Sequence, residues 1–356
     1  MIRCTGSALP KTLIAGALLV LLALPAAAAL QESRSIDTER LTVRNLIGEI
    51  RVEGHGGSEF EVNVEVKGRD AKDGMIHLRQ HDGGLDIVFP GEGDFVYPAI
   101  GPKGSSSFSG NGNNWTSDLL DGGSGRVKVR GSGKGLEIWA NVTVRVPNGA
   151  RLEVKQAVGA IRAEGVDGRL GLSTNSGDIF ADDLRGRLSV ATGSGDVAVN
   201  RVQGEKISIA TGSGDVEADD VDGDEFNIAT GSGDVELGVI RGHDVSVATG
   251  SGDVKADALD SDEMSVATGS GEITLELEQM GNGEYSVATG SGTILLTLPA
   301  GAGAEIHAET DDGKIHVDVA DASFAYREDD EVQLTVGGGG ATVELATGSG
   351  EIRIRN

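Results

Sequence analysis

The sequence predicts an all-β protein: a parallel β-solenoid, or β-helix, with about 19 residues per coil and irregular β segments capping both ends. Three observations predict it. The pentapeptide Ala-Thr-Gly-Ser-Gly recurs with its Thr at Thr192, Thr211, Thr230, Thr249, Thr268, Thr289 and Thr347, with variants at Thr174 and Thr310 and a degenerate copy at Gln156. Successive spacings from Gln156 to Thr310 are 18, 18, 19, 19, 19, 19, 21 and 21, a regularity that composition alone does not produce. Between the pentapeptides, apolar residues alternate at the period of a strand rather than at helical intervals.

The chain opens with Arg3 and Lys11, the apolar run Leu13 to Leu24, Pro25 and the stretch Ala26 to Ala29. This is the pattern of a secretory signal peptide over 1–29, with cleavage near Ala28 or Ala29. The apolar run is 12 residues long, short of the ~20 that span a bilayer. Cys4 stands before it, so the exported chain has no cysteine and draws its stability from backbone pairing and burial.

Residues 30–150 are expected to form an N-terminal β cap or irregular first coils. Leu41-Thr-Val, Phe60-Glu-Val-Asn-Val-Glu-Val and Leu85-Asp-Ile-Val-Phe supply short alternating strands there. From Gly91 to Gly125 the sequence turns rich in Gly, Ser and Asn, with Phe95, Tyr97, Phe108 and Trp115 scattered through it. That composition predicts a flexible insertion; the alternative is a ligand-contacting loop built around Trp115.

Regular coils are expected over 151–310. Two residues before each Thr stand Val154, Leu172, Val190, Ile209, Ile228, Val247, Val266 and Val287; two earlier stand Leu152, Leu170, Leu188, Ile207, Phe226, Val245, Met264 and Tyr285. After the corner come Ile161, Ile179, Val197, Val216, Val235, Val254, Ile273 and Ile294, and five residues on come Val166, Leu184, Val202, Val221, Ile240 and Leu259. All four columns should point inward, because a repeat this short buries its apolar face only by stacking on the next. The corner glycines supply a sharp turn, and the Thr column is expected to form a hydroxyl ladder between coils. Insertions at Gly281-Asn282-Gly283 and Pro299-Ala300-Gly301 belong at corners, and residues 311–356 should close the stack.

A formal charge of −26, from 30 Lys+Arg against 56 Asp+Glu, argues against nucleic acid or anionic lipid as partners. Cationic or polymeric envelope components fit better. The residue following each corner is Asp178, Asp196, Asp215, Asp234 or Asp253, giving way later to Glu272 and Thr293. Stacked at coil spacing, these carboxylates form a line whose adjacent members repel by about 1 kcal/mol in water. Either each accepts backbone N–H bonds at its corner, or the line binds cations, Ca²⁺ above all. The six His show no zinc spacing, and Gly-Ser-Gly is not the nucleophile elbow, which needs a strand-to-helix turn. No catalytic, cofactor or metal residue is assigned.

Val-Pro-Asn-Gly-Ala-Arg-Leu-Glu-Val (146–154), followed by repeated Ser-Gly-Asp-Val/Ile corners, resembles the bacterial putative adhesin family of β-strand-repeat proteins. The resemblance implies an envelope-associated parallel β-helix with no established catalytic residues. The expected function is that of a noncatalytic exported adhesin-like or envelope scaffold, monomeric, periplasmic, cell-surface or secreted, binding through its acidic face. The alternative is a carbohydrate-active β-helix enzyme, a lyase or glycosidase. That chemistry requires a break in the repeat that gathers Asp or Glu with Arg or Lys, a feature absent from the regular coils.

Overall fold

The computed structural model describes residues 30–91, 93–109, 115–122 and 126–356. The signal peptide expected over 1–29 lies outside them. The chain is all-β: among the described residues, helix is confined to the single turns Pro98–Ile100 and Trp115–Asp118.

At the centre, Val197–Thr211, Val216–Thr230, Val235–Thr249 and Val254–Thr268 are strands of 15 residues each. Each lies parallel to the next copy of the repeat, with Val197 opposite Val216, Val216 opposite Val235 and Val235 opposite Val254. Burial alternates along each strand as the pleat requires. All four apolar columns named above are buried along their length. A fifth, Ala181, Val199, Ala218, Leu237, Ala256 and Leu275, fills the space between them. Each Val, Leu or Ile so buried contributes about 1.5–3 kcal/mol from removal of apolar surface from water.

The corner chemistry follows from the same stacking. Gly195 adopts φ +145, and a Cβ there would stand 2.2 Å from the Gly177 carbonyl oxygen of the preceding corner, so only glycine fits. The Thr column is buried, but it does not form a ladder of hydroxyls. Thr211 donates to the Gly195 carbonyl at 3.3 Å, Thr249 to that of Gly233 at 3.3 Å and Thr268 to that of Gly252 at 3.0 Å. A backbone carbonyl left without a partner by the tight turn outcompetes a hydroxyl one strand away.

Both ends depart from chain order. Arg40–Ile47 and Ile50–His55 pair parallel with Arg151–Val158 and Ile161–Glu164, so the residues between are an insertion after the first repeat. Within the insertion, Phe60–Lys67 lies antiparallel to both Leu30–Ile36 and Trp139–Pro147. At the other end, Glu284–Ser291 pairs with Ala341–Ser349 rather than with Ala304–Asp312, which packs on the far side of Ala341–Ser349. The last Ala-Thr-Gly-Ser-Gly copy is intact, so Thr347 donates to the Gly292 carbonyl at 3.1 Å and Val343 and Leu345 continue the columns of Tyr285 and Val287. The degenerate Thr310-Asp-Asp-Gly copy is displaced outward, where Glu331–Val336 covers it antiparallel.

The described part of 91–125, expected as a flexible insertion, carries regular structure. Phe95–Val96, Arg126–Arg130 and Ser105–Ser109 form a three-stranded sheet. Phe95, Tyr97, Phe108 and Leu119 are buried, with the rings of Phe89 and Phe95 edge to face at 5.9 Å. These side chains are too far apart in sequence to show a period, yet they converge on one cluster whose burial offsets the cost of ordering the described strands.

Candidate functional site

Parallel pairing in register places the five corner aspartates in one file, half-buried at Asp178 and exposed from Asp196 to Asp253. Oδ1 of Asp178 accepts the N–H of Asp196 at 3.1 Å, and the bond recurs from Asp215 to Asp196 at 3.0 Å, from Asp234 to Asp215 at 2.9 Å and from Asp253 to Asp234 at 2.8 Å. Asp253 in turn accepts the N–H of Glu272 at 2.8 Å. One carboxylate oxygen of each residue thus fastens the next corner. Among the described residues, no three His, Cys, Asp or Glu side chains converge to hold a metal ion. Beside the file runs a shallow groove of about 390 Å³, which Phe180, Glu217 and Glu236 also line.

A second cluster lies where the repeat is interrupted. Asp86 sits in Gly84–Val88, a strand buried at every position, and is only 1% exposed. Arg44 grips it with two bonds, Nε to Oδ1 at 2.6 Å and Nη2 to Oδ2 at 2.8 Å. Arg79 adds a bond to Oδ2 at 3.1 Å, and His81 Nε2 stands 3.4 Å from Oδ1. Burial pushes the Asp86 carboxyl up, but the bonds from Arg44 and Arg79 outweigh it and hold the group below the usual carboxylate range. The bond to Asp86 raises Arg44 further. Asp118, 3.3 Å from Arg44, completes one side of an open cavity of about 570 Å³ that Ser117 and Leu120 also line. Chemically the cluster is a clamp, since its buried carboxylate is ionised and fully paired.

Trp115 opens the helical turn that carries Ser117 and Asp118 into this cavity, while its own ring is half-buried against the core. Sequence reasoning found the aspartate file and missed the clamp. Its one local signal was an acid in the middle of the apolar run Leu85-Asp-Ile-Val-Phe, since a lone buried carboxylate requires partners from elsewhere in the fold.

Fold and surface together define a class: an all-β repeat protein whose outward-facing residues stand in register, charged files among them. Residues 140–355 match the Toastrack DUF4097 family, and the chain belongs to that family. The match takes in every Ser-Gly-Asp corner on which the resemblance to bacterial putative adhesins rests. Two solved structures are similar to it. One is a putative cell adhesion protein from Clostridium sporogenes, 12% identical over 91% of this chain and 98% of that one, with a TM-score of 0.20. The other is a putative adhesin from Bacteroides fragilis, 12% identical over 92% of this chain and 96% of that one, with a TM-score of 0.29. No curated protein matches the chain. Among the described residues, no helix is long and apolar enough to cross a membrane.

Proposed function

We propose that this chain is an exported, noncatalytic adhesin-like or envelope scaffold protein. Its strands wind as a parallel β-solenoid with about 19 residues per coil, regular over 151–310 and closed by 30–150 and 311–356. The acidic file is its binding face, directed at a cationic or polymeric envelope component. One observation carries this reading. Each aspartate from Asp178 to Asp253 commits Oδ1 to the neighbouring corner, so the file is evenly spaced and, from Asp196 to Asp253, exposed, as suits a surface that meets a repeating cationic partner. The test is calorimetry of the wild type and of the Asp196→Asn, Asp215→Asn, Asp234→Asn triple variant with polylysine, Ca²⁺ and Mg²⁺ against NaCl of matched ionic strength. Binding that the triple variant loses supports the face; identical titrations of the two proteins refute it.

The Asp86 clamp favours a second reading, a carbohydrate-active enzyme, because it gathers Asp86 and Asp118 with Arg44, Arg79 and His81 beside an open cavity. Against it stands the state of Asp86, a paired anion and not an acid with a proton to give. Release of reducing ends or unsaturated products from a polysaccharide panel, abolished by Asp118→Asn, would establish the enzyme.

A further inference from the structure

The same register that builds the acidic file builds a basic one at another position of the repeat. Arg40, Arg151, Arg169 and Arg187 are direct partners across the parallel pairs joining Arg40–Ile47, Arg151–Val158, Asp167–Ser176 and Ile179–Thr192. All four are exposed. At a strand spacing of ~4.8 Å the file is about 14 Å long. Four like charges so stacked repel one another, and the fold does little to compensate. Arg187 meets Glu205 at 3.1 Å, whereas among the described residues Arg40, Arg151 and Arg169 form no ion pair. In a chain of net charge −26, uncompensated stacked arginines have no evident structural role.

The surface around them is concave. One cleft of about 620 Å³ is lined by Arg40, Arg151 and Arg169 together with Thr38, Ser58 and Asn148. A second of about 280 Å³ is lined by Arg151, Arg169 and Arg187. They share two arginines and form one trough along the stacking direction. Two residues on from the arginines, Gly171 and Ser189 floor the second cleft without bulk. Glu39 and Glu153 also line the trough, and Lys155 neutralises Glu153 at 2.9 Å. Past Arg187 the file continues to the basic Lys206 and changes sign at the strand after it. Lys206 is tied to Glu225 at 2.5 Å, and Glu225, Asp244 and Glu263 follow in register.

We propose that this trough binds a single strand of linear acidic polysaccharide, laid along the stacking direction with carboxylate or sulfate groups recurring at about the strand spacing. Guanidinium forks match both groups bidentately. The trough is one residue wide, its extension is acidic, and the rest of the chain is strongly negative. A narrow polymer following the arginines meets few acids beyond Glu39 and the Lys155-paired Glu153, whereas a lipid surface or a nucleic acid duplex would also meet the repelling acids around the trough. The proposal does not depend on the function assigned to the aspartate file.

The test is fluorescence anisotropy of labelled oligogalacturonate and of a size-matched sulfated oligosaccharide, titrated with the full chain at low and at physiological salt. Saturable binding of one or both, weakening as salt rises, is expected, and the tighter probe identifies the anionic group. Arg169→Gln should weaken it about tenfold, and Arg151→Gln with Arg169→Gln about a hundredfold. Arg241→Gln with Arg353→Gln removes the same charge elsewhere and should change affinity by less than about threefold. If the double trough variant does not fold by circular dichroism, Arg169→Gln alone carries the comparison. The proposal is overturned by no saturable binding of either probe, by equal losses in trough and control variants, or by equal or tighter binding of oligothymidylate or anionic phospholipid vesicles.

Discussion

Asp234 donates its backbone N–H to Oδ1 of Asp215 at 2.9 Å, across a parallel pair that also sets their two like charges side by side. The hydrogen bond and the repulsion link the same two residues with opposite sign. Asp215→Asn keeps an oxygen acceptor and removes the charge, so its melting temperature should equal or exceed that of the wild type at low salt. Asp215→Ala removes the acceptor and should lower it by about 2 °C. Equal melting temperatures for Ala and Asn in scanning calorimetry would show that the bond contributes nothing.

Gly214 repeats the corner geometry, with φ +149 and a would-be Cβ 2.1 Å from the Gly195 carbonyl oxygen. Gly214→Ala must move backbone at two successive corners and should cost about 2 kcal/mol or more. Gly56, where a Cβ meets nothing within 4 Å, accepts Ala with little change. Denaturant unfolding of both variants checks the contrast, and it fails if the two lose the same stability.

Val235 is fully buried in its column, while Asp234 beside it is exposed. Val235→Asp places a carboxylate among stacked aliphatics and should cost about 3 kcal/mol or more, against a mild change for Asp234→Asn. A comparable loss in both would mean that inward and outward positions are exchanged.

Acid should act through Asp86. Its folded carboxyl lies below the ordinary range, so the stability it contributes is fully present above the unfolded value of about 4 and is lost as pH falls through the folded one. Asp86→Asn removes the charge that pairs the largely buried Arg44 as well as the exposed Arg79, and should cost about 3 kcal/mol at pH 7. The gap between variant and wild type should close as the pH is lowered below about 4. Melting temperatures of both proteins across that range test this; a gap independent of pH would mean that charge on Asp86 is immaterial.

Much of the fold was legible because the repeat states it several times. Val190, Ile209, Ile228 and Val247 lie in one buried column, and a periodicity sampled in so many copies averages out the ambiguity of any single strand. Asp196, Asp215 and Asp234 were legible as a file for the same reason. What escaped lies where sequence distance and spatial distance part company. Asp86 is clamped by Arg44, 42 residues away, and Arg40 meets Arg151 only because the insertion between them folds back. The packing of Phe95 against Phe89 lacked any period to announce it. The order of the last strands, in which Ala341–Ser349 stands between Glu284–Ser291 and Ala304–Asp312, is a choice between two corner copies that neither segment reveals alone.

The register itself underlies every file and trough described, and one measurement tests it most directly. Ala198, Glu217, Glu236, Lys255, Thr274, Leu295 and Arg353 occupy one position of successive paired strands. Nitroxide labels at Ala198→Cys paired with Thr274→Cys, and at Ala198→Cys paired with Arg353→Cys, can be read by pulsed electron–electron resonance after Cys4→Ser. Four strand spacings should separate the first pair by about 19 Å and six should separate the second by about 29 Å, each broadened by the label linkers. Distances that do not increase by about one strand spacing per paired strand, so that the second pair is not about 10 Å longer than the first, would contradict the stacked register and the surface built on it.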